Sequence, residues 1–153
     1  MVERHVPLQA LHERTDLPPR PRLPARRVKS VLIAEDDPDT AAAIKATLEE
    51  HLSVETATIN NGALVLDEIA AHRPDLLILD VNLPGLSGVD VFDLVQANPS
   101  FSTLPVLFLT AAPDRARRAF ARKGIRDVMR KPFDGRALAG KVADLLGRAQ
   151  KVA

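Results

Sequence analysis

The chain has 153 residues, of which 46% are hydrophobic and 27% charged, with a formal net charge of +1 and no cysteine. That length suffices for one domain with a real core, and the lack of cysteine excludes disulfides, thiolate metal sites and cysteine nucleophiles. No apolar run approaches the roughly 20 residues of a bilayer span, no apolar stretch of a signal peptide opens the chain, and five Phe without Trp or Tyr offer little for single-stranded nucleic acid to stack on.

The near-neutral total hides an asymmetry. Residues 1–29 carry seven Lys/Arg against three acids, a balance of +4, and the remainder carries −3. Five of the twelve prolines also fall in residues 1–29, four of them in Pro18-Pro19-Arg20-Pro21-Arg22-Leu23-Pro24. Proline fixes φ and removes an amide donor, so this segment reads as a disordered, basic, Pro/Arg-rich arm. Such an arm suits a leader, a tether to a protein or membrane surface, or a salt-sensitive contact with nucleic-acid phosphates.

From Ser30 onward, short apolar runs alternate with helical periodicity. A strand is expected over 30–35, ending in the acids Glu35-Asp36-Asp37. Asp37 then suits a helix N-cap, with Pro38 at the first helical position and Asp39 in the first turn. That helix runs to about His51 with Ala42, Ile44, Leu48 and Leu52 inward. A second strand covers 53–58, an Asn60-Asn61-Gly62 turn follows, and a helix over 63–72 points Leu64, Val65 and Ile69 inward. The apolar run Leu76-Leu77-Ile78-Leu79 makes a third strand over 75–79, ending at Asp80. After a loop, a helix covers 89–97 and a fourth strand, 105–109, stops at Thr110. A helix over 113–123 closes on Gly124, a fifth strand takes 125–130, and a last helix takes 134–147.

Strands this short and apolar are buried on both faces, as in parallel sheets. Their alternation with helices predicts an α/β fold: a five-stranded, doubly wound parallel sheet of flavodoxin-like order 2-1-3-4-5, (βα)5, over residues 30–148, with a tail at 149–153. In that order the ends of the first, third, fourth and fifth strands line one crevice, bringing together Glu35, Asp36, Asp80, Thr110 and Lys131. Like charges about 4 Å apart repel by about 4 kcal/mol at an effective dielectric of about 20. Oxygen-only ligands at such a density suit Mg²⁺. A carboxylate nucleophile, a metal, a hydroxyl and an ammonium are the parts needed to move a phosphoryl group onto an aspartate.

The runs VLIAEDDPD, DLLILDVNLPGLSG, LFLTA and MRKPF, in that order, resemble the receiver domain of two-component response regulators. The resemblance implies that Asp80 is the phosphoacceptor, served by a sensor histidine kinase or phosphotransfer protein. It implies Mg²⁺ bound by Asp36, Asp80 and the backbone carbonyl of Asn82, and by Glu35 through water. It makes Thr110 and Lys131 the hydroxyl and lysine that engage the phosphoryl group, with a cis bond before Pro132. Asp37 reads as the helix cap rather than a ligand. Chemistry of this kind is self-catalysed phosphorylation and dephosphorylation of one aspartate, not enzymatic turnover, and Ala112 and Asn82 are the positions that tune its lifetime.

Three positions depart from the family pattern. Val128 stands where receivers carry Tyr or Phe, Ser87 replaces a frequent acid, and the stretch from Thr110 to Gly124 is about one residue short. Arg115, Arg118 and Arg122 share a helical face, either a solvated face or part of a surface that docks a downstream protein. Only six residues follow Gly147, too few for a DNA-binding output domain. The chain therefore reads as a stand-alone cytoplasmic switch, with a phosphorelay intermediate or a pseudo-receiver lacking its own phospho-switch as alternatives. A flavodoxin-like cofactor binder is disfavoured by three acids where anionic phosphate would sit. A hydrolase is disfavoured by Asn82, where a second acid is needed. The four histidines (5, 12, 51 and 72) lack ligand spacing and take no role.

Overall fold

The computed structural model describes residues 27–151, so all but the last three residues of the expected basic arm lie outside the described residues. In chain order the elements are β1 (Lys29–Ala34), α1 (Pro38–His51), β2 (Val54–Ile59), a 3₁₀ turn (Gly62–Leu64), α2 (Val65–His72), β3 (Leu76–Leu79), α3 (Gly88–Ala97), β4 (Val106–Thr110), α4 (Arg117–Lys123), β5 (Val128–Arg130) and α5 (Gly135–Lys151). All neighbouring strands pair in parallel, in the order β2-β1-β3-β4-β5. Every β-α-β connection therefore has to cross over, which puts helices on both faces of the sheet.

The pleat divides the core in two. Val31, Ile33, Leu76, Ile78, Leu107 and Leu109 point to one face, against Ile44 and Leu48 of α1 and Leu138, Val142 and Leu145 of α5. Leu32, Ala34, Leu77, Leu79, Val106 and Phe108 point to the other, against α2, α3 and α4. This alternation of two buried faces is why the inner strands β1, β3 and β4 read as apolar runs. Among the described residues, no helix is long and apolar enough to cross a membrane.

Several local expectations need correction. In α1 the inward positions are Ala41, Ile44 and Leu48, while Ala42 is exposed and Leu52 only partly buried. Leu64 is 50% exposed, because the 3₁₀ turn buries Gly62 instead. The helix expected from 113 starts at Arg117: Ala116 offers no capping side chain, and Asp114 is drawn into an ion pair with Arg130 at 3.0 Å. Arg115 therefore sits in the turn before α4, and the expected three-arginine helical face keeps only Arg118 and Arg122. The fifth strand begins at Val128, not 125, because the Ile125 amide donates to Phe120 at 2.9 Å and closes α4 over Gly124. Gly124 has φ 69°, the left-handed cap its position suggested. Gly147 does not end α5, which continues to Lys151 and is braced by Arg148 and Asp144 at 2.7 Å.

Candidate functional site

The register fixes which residues meet. Ala34 lies opposite Leu79 across the β1–β3 ladder, so the next residues, Glu35 and Asp80, leave the sheet side by side. The Asp80 amide donates to the Ala34 carbonyl at 3.1 Å, and the Glu35 amide to the Ile59 carbonyl at 3.0 Å. Thr110 ends β4, and the Lys131 amide donates to its carbonyl at 2.8 Å. The bond between Lys131 and Pro132 is cis, as expected. Four strands thus deliver an acid pair, an acid, a hydroxyl and an ammonium to one edge.

One carboxylate oxygen from each of Glu35, Asp36 and Asp80 lies within 4.8 Å of the others. Glu35 and Asp80 are buried, at 3% and 5% exposure, while Asp36 is open to solvent. Lys131 Nζ donates to Glu35 Oε2 at 2.5 Å and to Asp80 Oδ2 at 3.0 Å. Asp80 Oδ1 accepts the Asn82 amide at 3.3 Å, and the buried Thr110 Oγ1 accepts the Ala112 amide at 3.3 Å. Sequence reasoning gave Glu35 a water-mediated metal contact and missed its direct bond to Lys131. The only available signal was that a buried acid needs a cationic partner.

Burial is the main influence on Glu35 and raises its pKa above the ordinary 4.5, against the opposing pull of Lys131 and the Asp37 amide. For Lys131, burial favours the neutral amine, but its hydrogen bonds to Glu35 and Asp80 prevail and raise its pKa above 10.5. Asp37 caps α1 as expected. Its Oδ2 accepts the Thr40 amide at 3.1 Å and also the Thr40 hydroxyl, which holds its pKa below 3.8.

Three carboxylates and one ammonium leave an excess of two negative charges, gathered on hard oxygen donors. That donor set and charge fit a divalent Mg²⁺. A cleft of about 480 Å³ opens beside Lys131, lined by Asp39, Thr40, Ala43, Ala111, Pro132 and Phe133. Val128 is half-buried against the core layer under α4, and Arg115, Arg118 and Arg122 are exposed, with no ion-pair partner among the described residues.

The family model described as the response regulator receiver domain matches residues 31–143. The DNA-binding response regulator MtrA of Mycolicibacterium smegmatis is 33% identical over 119 residues, which are 77% of this chain and 50% of MtrA, so the chain spans about half that relative's length. The signal receiver domain of a signal transduction histidine kinase from Syntrophus aciditrophicus superposes with a TM-score of 0.73 at 31% identity, covering 79% of this chain and 92% of that one. The receiver domain of the sensor histidine kinase PA1611 from Pseudomonas aeruginosa PAO1, solved with a magnesium ion in its active-site cleft, gives 0.72 at 24% identity, covering 79% of this chain and 99% of that one, a likeness of fold. Receiver domains are signalling modules of two-component systems rather than classical enzymes. The sheet order, the edge on which the carboxylates gather and the matched span together make this chain a member of the response regulator receiver family.

Proposed function

We propose that Asp80 is the phosphoacceptor of this receiver and takes its phosphoryl group from a phosphohistidine on a sensor kinase or phosphotransfer protein. An Asp80 oxygen attacks phosphorus, the P–N bond breaks, and the imidazole leaves with a proton from solvent. Asp36, Asp80 and the Asn82 carbonyl would hold Mg²⁺, and Glu35 would bind it through water. Magnesium bound there supplies positive charge that offsets both the nucleophile and the incoming phosphoryl group. Lys131, already on Asp80 Oδ2 at 3.0 Å, is the ammonium that follows the new phosphoryl oxygens, and the Thr110 hydroxyl donates to another. The single observation that carries this reading is the Lys131 ammonium seated on Asp80 within the carboxylate cluster.

The output we propose is a change in the face formed by α4, β5 and α5, where Arg115, Arg118 and Arg122 meet a protein partner in a phosphorylation-dependent way. Sensor kinases draw their phosphoryl groups from ATP, which makes the proposed exchange cytoplasmic. Val128 favours a second reading, in which the domain relays or docks without a switch of its own, because a valine has no ring to reposition. Incubation with acetyl phosphate and Mg²⁺, read on a phosphate-affinity gel, tests the first reading: wild type shifts and Asp80→Ala does not. Equal mobility of the two proteins favours the docking form of the second reading, since a relay would also carry the phosphoryl group on Asp80 and shift.

A further inference from the structure

The turn after β2 lies against the loop that carries Asp80 at distances only glycine permits. Gly62 donates its amide to the Pro84 carbonyl at 2.8 Å. A Cβ on Gly62 would stand 1.9 Å from the Leu86 carbonyl oxygen and 2.8 Å from its carbon, so neither backbone could keep its place. One residue back, Asn61 caps the same turn, with Oδ1 accepting the Ala63 amide at 2.8 Å. That oxygen also faces Gly85, where a Cβ would come within 2.3 Å of it, and Gly85 has φ 82°. The base of the loop is drawn tight as well: the Gly88 amide donates to the Val81 carbonyl at 2.8 Å, and a Cβ on Gly88 would lie 2.1 Å from the Asp80 carbonyl oxygen. The loop is thus pinned at its base by Gly88 and at its tip by Asn61 and Gly62. Between the pins lies Asn82, whose amide reaches Asp80 Oδ1.

We propose that the Asn61-Gly62 turn is a positioning element for the magnesium site: by clamping the tip of the 80–88 loop it sets where the Asn82 backbone stands relative to Asp80. No atom of the turn reaches the carboxylates; it acts through the Pro84–Leu86 backbone. This rests on the metal site proposed above and adds residues to it from a different loop. A metal ligand supplied by backbone has no rotamer of its own, so only the path of the chain fixes its position, and the loop from β3 to α3 does not fix that path alone. The two glycine faces and the Gly62 amide give it a rigid neighbour.

The test uses the full chain and reads Mg²⁺ binding directly, from the shifts of the Asp80 and Asn82 amides as MgCl₂ is added. Gly62→Ala is expected to raise the dissociation constant tenfold or more, and Asn61→Ala severalfold. Ala41→Gly, in the buried face of α1, serves as a control that lowers Tm and leaves the dissociation constant at its wild-type value. A folded Gly62→Ala protein with wild-type Mg²⁺ affinity overturns the proposal, as does an equal loss of affinity in Ala41→Gly. If Gly62→Ala does not fold, Asn61→Ala decides by the same criterion. Should the wild type bind no Mg²⁺, the metal site itself fails. The clamp is then judged by hydrogen exchange at Asn82, faster in either turn variant if it exists and unchanged if it does not.

Discussion

Lys131 Nζ lies 2.5 Å from Glu35 Oε2, although the two residues stand 96 positions apart in sequence. Together with the 3.0 Å bond to Asp80, this makes one ammonium the counter-charge for two buried carboxylates. Removing one member of a buried ion pair leaves an uncompensated charge, at a cost of about 3 kcal/mol. Lys131→Ala is therefore expected to lose about that much stability in metal-free buffer, and to recover a larger part of it on adding MgCl₂ than wild type gains. Urea denaturation with and without the salt measures both. The folded-state pKa of Lys131 lies above 10.5, so its contribution is complete below that value and fades only as pH rises through the folded pKa. The wild-type minus Lys131→Ala difference should accordingly hold constant from neutral pH to about 9.

Phe120 is the only buried residue of α4. Its ring packs on Phe108 at a centroid distance of 5.0 Å, and Phe108 in turn meets Phe92 at 5.7 Å. Phe120→Ala is expected to cost about 3 kcal/mol of stability. The loss should be uneven: amides 117–123 should exchange much faster, while those of β1 and β3 speed up only by as much as the loss of global stability requires. Equal acceleration everywhere would show that α4 is not separately anchored.

Val128 offers an independent test of the output face. The chain holds no Trp or Tyr, so Val128→Tyr installs a single reporter ring. Val128 pairs in register with Phe108, two residues before Thr110, and packs against the layer beneath α4. Adding beryllofluoride with Mg²⁺ is expected to change the tyrosine fluorescence of this variant, and to leave it unchanged when Asp80→Ala is added. A flat response in both would mean that the edge strand does not sense Asp80.

The parts of this protein that were legible beforehand are those where one residue type has one physical use. Three apolar runs ending at Glu35, Asp80 and Thr110 defined the centre of the sheet and its working edge, because burial on two faces leaves short unbroken apolar stretches, while the partly buried edge strand before Lys131 left a weaker pattern. Asp37 and Pro38 marked the start of α1 by independent rules of capping and fixed φ. Boundaries were lost where tertiary partners overrode local preference. Asp114 turns to Arg130 instead of starting a helix, and Ile125 gives its amide to α4 instead of the sheet. Gly62 and Gly88 were visible only as turn residues, since the close approach of another backbone leaves no trace in the residues beside it. Glu35 was placed correctly, yet its partner 96 residues away was not, because pair identity depends on which loop tips converge.

The single ring that seats α4 has a mechanical corollary. Shifting α1 would disturb three interior side chains, Ala41, Ile44 and Leu48, whereas reseating α4 exposes one benzyl group, worth about 2 kcal/mol. Compliance is therefore concentrated in seven residues that contribute nothing to the carboxylate edge. Surface substitutions there can retune what the molecule presents to others while the acids and lysine keep their arrangement.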